Sequence, residues 1–187
     1  MNSKKTLREE YLVERNKITP SERASLDKRL CENLVKLIAK HMFHTIFSYR
    51  TFGSEPSLRG IPDASSVTTA VPVINPRDKS MEFYPIGPNQ TYTTNKFGIE
   101  EPFHPLGAPL IPDNHTLVVL PCLAVSKSGY RLGYGGGYYD RYLARFPQAQ
   151  RAGILYRQFL VPDMPVESHD QKLHHLILED QILTFNP

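Results

Sequence analysis

The stretch Gly129-Tyr130-Arg131-Leu132-Gly133-Tyr134-Gly135-Gly136-Gly137-Tyr138-Tyr139-Asp140 follows an apolar run, His115 to Leu120, that is bounded by Pro121. It leads into a helix-like run from Gly137 to about Phe146. Strand, glycine loop, helix is a building unit of α/β sheets, and it places an anion at a helix N-terminus, where backbone donors and the helix dipole favour negative charge. Four of the eleven glycines fall within the five positions from 133 to 137. Glycine at that density removes side chains from one face of the backbone, so that N–H groups can converge on a ligand. A tight turn by itself needs only one such residue. Arg131 just before the cluster and Asp140 at its end add a cation and a metal-capable carboxylate, which points to nucleotide phosphate with a divalent ion. The loop is not a Walker A sequence, because no Gly-Lys-Ser/Thr follows, and the dinucleotide pattern fails because its third glycine would fall at Tyr138.

Working outward from the loop, residues 3–17 read as a highly charged helix. Thr19-Pro20-Ser21-Glu22 opens a second helix as a capping box, with threonine at the N-cap and proline at the first helical position. Leu26, Leu30, Leu34, Leu37 and Ile38 then recur at helical spacing and define one buried face. Phe43 to Tyr49 and Thr69 to Ile74 read as strands, and Met81 to Pro85 as a third after the turn Asn75-Pro76-Arg77-Asp78. Residues 86–115 are rich in Pro, Gly, Asn and Thr and read mostly as loop, a length usual for functional or mobile segments. Ala152 to Tyr156 and Leu176 to Leu178 are further strands, the latter the last. Alternating strands and helices predict one α/β domain over residues 1–187, in three layers, with a largely parallel central sheet flanked by helices.

Composition narrows the classes of function. The 187 residues are 40% hydrophobic and 22% charged, which is ordinary globular usage. A net charge of +3 is only mildly basic, and no basic run of five or more residues occurs, so a nucleic-acid partner is not expected. Cys31 and Cys122 have no CxxC or Cys/His companions and read as reduced, packed thiols. Met1-Asn2-Ser3-Lys4-Lys5 leads into charged helix without an apolar signal core, and no stretch approaches the roughly 20 apolar residues of a membrane span. The expectation is a cytoplasmic protein without a membrane partner.

Three further positions could carry chemistry. Lys4, Arg8 and Arg15 lie within about 40° of one helical stripe. The stripe is either a solvated face or a phosphate contact. Glu55, in Phe52-Gly53-Ser54-Glu55-Pro56, stands on the loop after the first strand, where α/β sheets bind ligands. Asp170, in Glu167-Ser168-His169-Asp170, could join Asp140 around Mg²⁺, which keeps most of its waters and needs few carboxylates. His169, His174 and His175 have no triad or metal-ligand context and are assigned no catalysis.

Lys4-Lys5-x-x-Arg8 and the run from Arg131 to Asp140 resemble signatures of the 5-formyltetrahydrofolate cyclo-ligase family, also called methenyltetrahydrofolate synthetases. Met81-Glu82-Phe83-Tyr84, Phe97-Gly98-Ile99-Glu100-Glu101-Pro102 and Pro165-Val166-x-x-x-x-Asp170 resemble family segments in family order, so the likeness spans nearly the whole chain. The resemblance implies ATP-dependent conversion of 5-formyltetrahydrofolate to 5,10-methenyltetrahydrofolate, with ADP and phosphate released; a monomer is expected. It implies catalytic roles for Arg8 and Arg131, and ATP contacts from Lys4, Lys5, Arg8, Arg131, Gly133, Tyr134, Gly135, Gly136, Gly137, Tyr138 and Tyr139. Glu55, Tyr49 and Phe83 would take the folate, with Tyr84 on the same strand, and Asp140 and Asp170 would hold Mg²⁺. The family's helix between the first two strands should be shortened here by Pro56, Gly60 and Pro62, since interior proline costs roughly 3 kcal/mol. Other readings stay open on residues alone: a folate- or nucleotide-binding storage protein, a nucleic-acid-binding accessory protein, or another phosphate-handling α/β enzyme.

Overall fold

The computed structural model describes residues 3–59 and 67–187. Its elements run α1 (Lys4–Asn16), α2 (Pro20–His41), β1 (Thr45–Phe47), β2 (Thr68–Asn75), β3 (Ser80–Pro85), β4 (Tyr92–Thr94), β5 (Glu100–Pro102) and β6 (Thr116–Pro121). They continue with β7 (Ala124–Ser126), β8 (Arg131–Leu132), α3 (Tyr138–Arg145), β9 (Gln150–Ile154), β10 (Leu160–Val161), β11 (His175–Ile177) and β12 (Ile182–Thr184). Seven strands form the central sheet in the order β12-β11-β9-β6-β1-β2-β3. The five inner strands pair in parallel, and only β3 and β12, the two edges, run antiparallel. The largely parallel α/β sheet expected from the sequence is present.

Local chemistry explains the helices. Thr19 caps α2 by accepting from the Glu22 N–H at 3.3 Å, Pro20 occupies the first turn, and Met42 ends the helix in the left-handed region. Its face Leu30, Cys31, Leu34 and Leu37 is buried, with Leu26 and Ile38 packed at the margin. On β6, Leu117 to Leu120 have no exposed surface at all, as befits a central parallel strand covered on both faces. Asn33 on α2 donates to the Leu178 carbonyl at 2.8 Å, which fastens the helix to the chain just beyond β11.

The connectivity creates a crevice. From β1 the chain builds through β2 to β3 on one side, and from β6 through β9 to β11 on the other. The order therefore reverses between β1 and β6, and ligands of open α/β sheets bind beyond the carboxyl ends of strands at such a switch point. The segment after β1 and the end of β6 both face that crevice.

Several boundaries differ from expectation. β1 is shorter than Phe43 to Tyr49, β9 starts at Gln150 rather than Ala152, and β11 is followed by an antiparallel edge strand, β12. Residues 86–115 are not simply loop, since β4 and β5 form a hairpin and Leu110 bridges to Phe83. Asn95 shapes the hairpin turn: its Oδ1 accepts from the N–H groups of Phe97 at 2.9 Å and Ile99 at 3.1 Å, while Gly98 takes φ +82. β7, β8 and β10 make a small second sheet that supports the glycine loop through β8. Residues 48–59 contain no helix, and the helix-shortening expected around Gly60 and Pro62 lies outside the described residues, as do Met1 and Asn2.

Candidate functional site

One cleft of about 630 Å³ opens over the β1/β6 switch point. Its walls contain Lys4 and Arg8 from α1, Tyr49 and Glu55 from the segment after β1, Arg131 on β8, residues 133–137 of the glycine loop, Tyr138, Tyr139 and Asp140 on α3, and Asp170. Sequence positions more than a hundred residues apart are thus gathered in one concavity. Two expected members lie elsewhere. Lys5 is exposed on α1 away from the cleft wall, and Phe83 is fully buried, its ring stacked 4.6 Å from that of Phe47. Met81 and Phe83 share the face of β3 toward the core, but Phe83 packs against Phe47 and Tyr142 there and only Met81 reaches the cleft lining. Tyr84 does not line it either.

The glycine loop is shaped by two arginines. Arg8 Nε donates to the Gly133 carbonyl at 2.8 Å, and a Cβ at Gly135, where φ is +93, would sit 3.1 Å from the Arg8 guanidinium carbon. Arg141 Nη2 donates to the Gly136 carbonyl at 2.8 Å and, with Nε, to the Lys79 carbonyl, which brackets the loop against the β2–β3 turn. Gly137 is the N-cap of α3 at φ +67, so the helix start has no side-chain cap.

Cations and carboxylates meet along the same wall. Arg131 Nη2 stands 2.9 Å from Asp140 Oδ1, in ion-pair contact but without hydrogen-bond alignment. Arg131 Nε and Nη2 are buried and have no hydrogen-bond partner among the described residues. A buried guanidinium left short of acceptors is suited to an anionic ligand. Lys4 Nζ lies 2.6 Å from Asp170 Oδ2, which also accepts from the Glu167 N–H at 2.7 Å. The Gln171 N–H reaches Asp140 Oδ1 at 3.4 Å, so the two aspartates stand on adjoining structure. Among the described residues no group of three or more His, Cys, Asp or Glu side chains could hold a metal alone. Two carboxylates beside a phosphate cradle nevertheless fit Mg²⁺, which takes one or two carboxylates and completes its shell with substrate phosphates and water.

The opposite wall is less polar. Tyr49 donates to the Pro56 carbonyl at 2.7 Å, and burial raises its hydroxyl pKa well above the ordinary tyrosine range. Glu55 is 4% exposed, and its Oε2 accepts from the Phe52 N–H at 2.8 Å. Burial pushes its carboxyl up to about 7, against the opposing pull of that N–H, the Arg15 guanidinium and the Tyr134 hydroxyl. Burial likewise lifts Tyr134 to about 12 and raises Tyr139.

Sequence reasoning missed part of this wall. Arg50, Phe52, Pro72, Ile74 and the hairpin residues Asn95, Phe97, Ile99 and Glu101 all line the cleft. Arg50 Nε donates to Glu100 Oε2 at 3.0 Å, and its guanidinium carbon lies 4.0 Å from the Tyr92 ring centroid, so one arginine ties the post-β1 segment to the hairpin. Arg15, read with Lys4 and Arg8 as one stripe, is instead 1% exposed and turned inward. The available signal for the hairpin was Asn95-x-Phe97-Gly98, whose asparagine and glycine are turn formers.

A glycine-rich loop and a cleft at the switch point of an α/β sheet stand where such folds bind their ligands. The chain belongs to the 5-formyltetrahydrofolate cyclo-ligase family, a family of ligases whose model matches residues 1–179. It is 26% identical over 186 residues to the 5-formyltetrahydrofolate cyclo-ligase of Haemophilus influenzae, covering 95% of this chain and 100% of that one. With the mouse enzyme of the same name it shares 39% identity over 69 residues, about a third (34%) of either chain. The NMR structure of Aquifex aeolicus 5,10-methenyltetrahydrofolate synthetase superposes with a TM-score of 0.83 at 24% identity, over 98% of this chain and 93% of that one, and shares the fold. No helix among the described residues is long and apolar enough to cross a membrane.

Proposed function

We propose that the cleft converts 5-formyltetrahydrofolate and MgATP to 5,10-methenyltetrahydrofolate, ADP and phosphate. The observation that carries this reading is the convergence of Lys4, Arg8, Arg131, the glycine loop, Asp140 and Asp170 on one wall of a cleft whose other wall presents Tyr49 and Glu55. The formyl oxygen is a poor leaving group, so ring closure needs activation. In the proposed first step that oxygen attacks the γ-phosphorus of ATP, the bond to ADP breaks, and an N5-iminium phosphate results. N10 then adds to the iminium carbon and loses its proton. The C–O bond breaks, phosphate departs, and the N5–C–N10 cation remains.

Phosphoryl transfer asks the protein mainly for alignment and charge neutralisation. The amides of residues 133–137 would hold phosphate oxygens, with contributions from the backbone around Tyr134, Tyr138 and Tyr139. Lys4, Arg8 and Arg131 would offset charge on the transferred group, the two arginines acting where ATP and folate meet. Lys5, being outside the cleft, would contribute only long-range charge. Asp140 and Asp170 would hold Mg²⁺, which when bound neutralises phosphate charge. Glu55 would hydrogen-bond the reduced pterin, with Tyr49 beside it.

The test is direct: mix the protein, MgATP and 5-formyltetrahydrofolate, and follow methenyltetrahydrofolate absorbance in the near ultraviolet. ATP-dependent product with matching ADP release supports the reading. Folded protein that binds both ligands without forming product would overturn it in favour of storage.

A further inference from the structure

β1 is three residues long and β2 eight, so β2 outruns its partner on one side. Even-numbered residues of β2 turn their backbone groups toward β1: the Thr68 N–H donates to the His44 carbonyl at 2.9 Å, and the Ala70 carbonyl accepts from the Ser48 N–H at 2.8 Å. Odd-numbered residues face the other way, as where the Thr69 carbonyl accepts from the Ile86 N–H at 3.0 Å. The pairing with β1 ends at Ala70, and the series continues with Pro72, which has no N–H, and Ile74. The Ile74 N–H donates instead to a side chain, Glu101 Oε1 of β5, at 3.0 Å. The same oxygen accepts from Asn95 Nδ2 at 3.0 Å. Asn95 Oδ1 meanwhile holds the hairpin turn through the N–H groups of Phe97 and Ile99. One carboxylate oxygen therefore joins the unpaired rim of the central sheet to the turn of the β4–β5 hairpin.

We propose that Glu101 is a positioning residue, a latch that sets the β4–β5 hairpin as a wall of the folate-binding part of the cleft. The proposal rests on the cyclo-ligase reading for the identity of that ligand. Pro72, Ile74, Asn95, Phe97, Ile99 and Glu101 all line the cleft, so the latch lies within the wall it builds. Neighbouring strand residues point to opposite faces, and Glu100 accordingly meets Arg50 while Glu101 meets β2. Among the described residues Glu101 makes no ion pair, and its Oε2 has no hydrogen-bond partner. What holds it is a pair of neutral N–H donors on one oxygen, a task that a glutamine oxygen can also perform. Alanine would leave both donors without an acceptor, which costs more than a hydrogen bond contributes when made.

The experiment compares Glu101→Ala and Glu101→Gln with the native full chain. Amide hydrogen exchange is read without ligands, and KM and kcat are measured with MgATP and 5-formyltetrahydrofolate. In Glu101→Ala the Ile74 amide should exchange at least about tenfold faster, with residues 95–99 following, because a bonded edge amide becomes open. KM for 5-formyltetrahydrofolate should rise about tenfold, the scale of donors left unsatisfied. KM for ATP and kcat should stay within about twofold, as when only the binding of one ligand is weakened. Glu101→Gln should restore both the native exchange and the native KM. If Glu101→Ala does not fold, Asn95→Asp keeps the Oδ1 acceptor of the turn, sets a second carboxylate in place of the Nδ2 donor, and should show the same two changes. Unchanged Ile74 exchange in the folded variant would overturn the proposal. So would a glutamine variant as impaired as the alanine one, or a fall in kcat at constant KM. Exchange is read without ATP or folate, so a failure of turnover in the native protein counts against the cyclo-ligase reading alone.

Discussion

Lys4 Nζ stands 2.6 Å from Asp170 Oδ2, with both side chains largely buried, so the first turn of α1 is fastened to the segment before β11 across 166 positions of sequence. Contacts of that kind measure how the cleft is closed at one end. In urea unfolding, a double-mutant cycle with Lys4→Ala and Asp170→Ala should give a coupling energy of roughly 0.5–3 kcal/mol, the range for residues in contact. A coupling near zero would show that the two ends of the chain are held by something else.

Arg131 has two buried nitrogens without hydrogen-bond partners, and replacing it should leave the fold intact, because little in the protein relies on those donors. Arg131→Ala should keep the native circular dichroism and urea midpoint within about 1 kcal/mol of stability. Its kcat should fall by roughly 10²–10³, the scale of losing one positioned stabiliser of developing charge. Asp140→Ala should lower kcat comparably and weaken dependence on Mg²⁺ concentration. Near-native turnover in both variants would remove these residues from the mechanism.

Two glycines with similar backbones should separate stability from activity. Gly129 has φ +91 and a Cβ there would lie 2.8 Å from the Phe185 ring; Gly135 has φ +93 and a Cβ there would lie 3.1 Å from the Arg8 guanidinium carbon. Gly129→Ala should cost stability, roughly 1–3 kcal/mol for a strained position, and leave KM for ATP nearly unchanged. Gly135→Ala should raise KM for ATP at least tenfold, since Arg8 is a flexible side chain that can move aside only by leaving Gly133. Calorimetry and steady-state kinetics distinguish the pair.

Glu55 makes stability pH-dependent in a predictable sense. Burial pushes its carboxyl up to about 7 in the fold, against an ordinary glutamate value of 4.5. Between those values the folded state binds the proton more tightly, so this group's contribution is fully present below about 4.5 and is lost as pH rises through 7. Glu55→Gln should therefore gain stability relative to the native chain between pH 5 and pH 8, by on the order of 3 kcal/mol at most. His174 and His175 act in the other direction: held at about 4 by burial, they reduce stability as pH falls below the ordinary histidine value of 6.5. Comparing urea midpoints of the native and Glu55→Gln proteins at both pH values cancels the histidine contribution. A flat difference would contradict the assignment.

The β4–β5 hairpin is held to the post-β1 segment by Arg50, Glu100 and Tyr92, all at least partly solvent-exposed. Such a pair contributes at most about 1 kcal/mol to global stability. Glu100→Ala should thus shift the melting temperature little, while KM for 5-formyltetrahydrofolate rises and amide exchange in residues 92–102 quickens. Unchanged KM would mean that the hairpin is a passive rim.

The glycine loop was readable because its chemistry is local. Residues 133–137 lie in one covalent run, and Arg131 and Asp140 flank it, so spacing alone announces an anion cradle. The strands and helices that carry it were also legible, since β6 is a continuous apolar run and α2 carries both its cap and its leucine stripe. The β4–β5 hairpin and strands such as β8 and β10 were not, because two- and three-residue strands are too short for period-2 alternation to register.

Sequence by itself determined the parallel sheet, the glycine loop and the family, because each depends on residue types at fixed short separations. Tertiary structure decided which basic residues reach the cleft and which do not. Lys4, Arg8 and Arg15 share one helical stripe, yet two line the cavity and the third is buried behind it, where Ser54, the Cys122 carbonyl and Tyr134 supply its acceptors. It also decided that the Glu55 carboxylate is buried, while its neighbour Ser54 and Tyr134, 80 positions further along, meet over one guanidinium. Burial sets the charge state of that carboxylate, and burial belongs to the packed molecule rather than to any stretch of its chain.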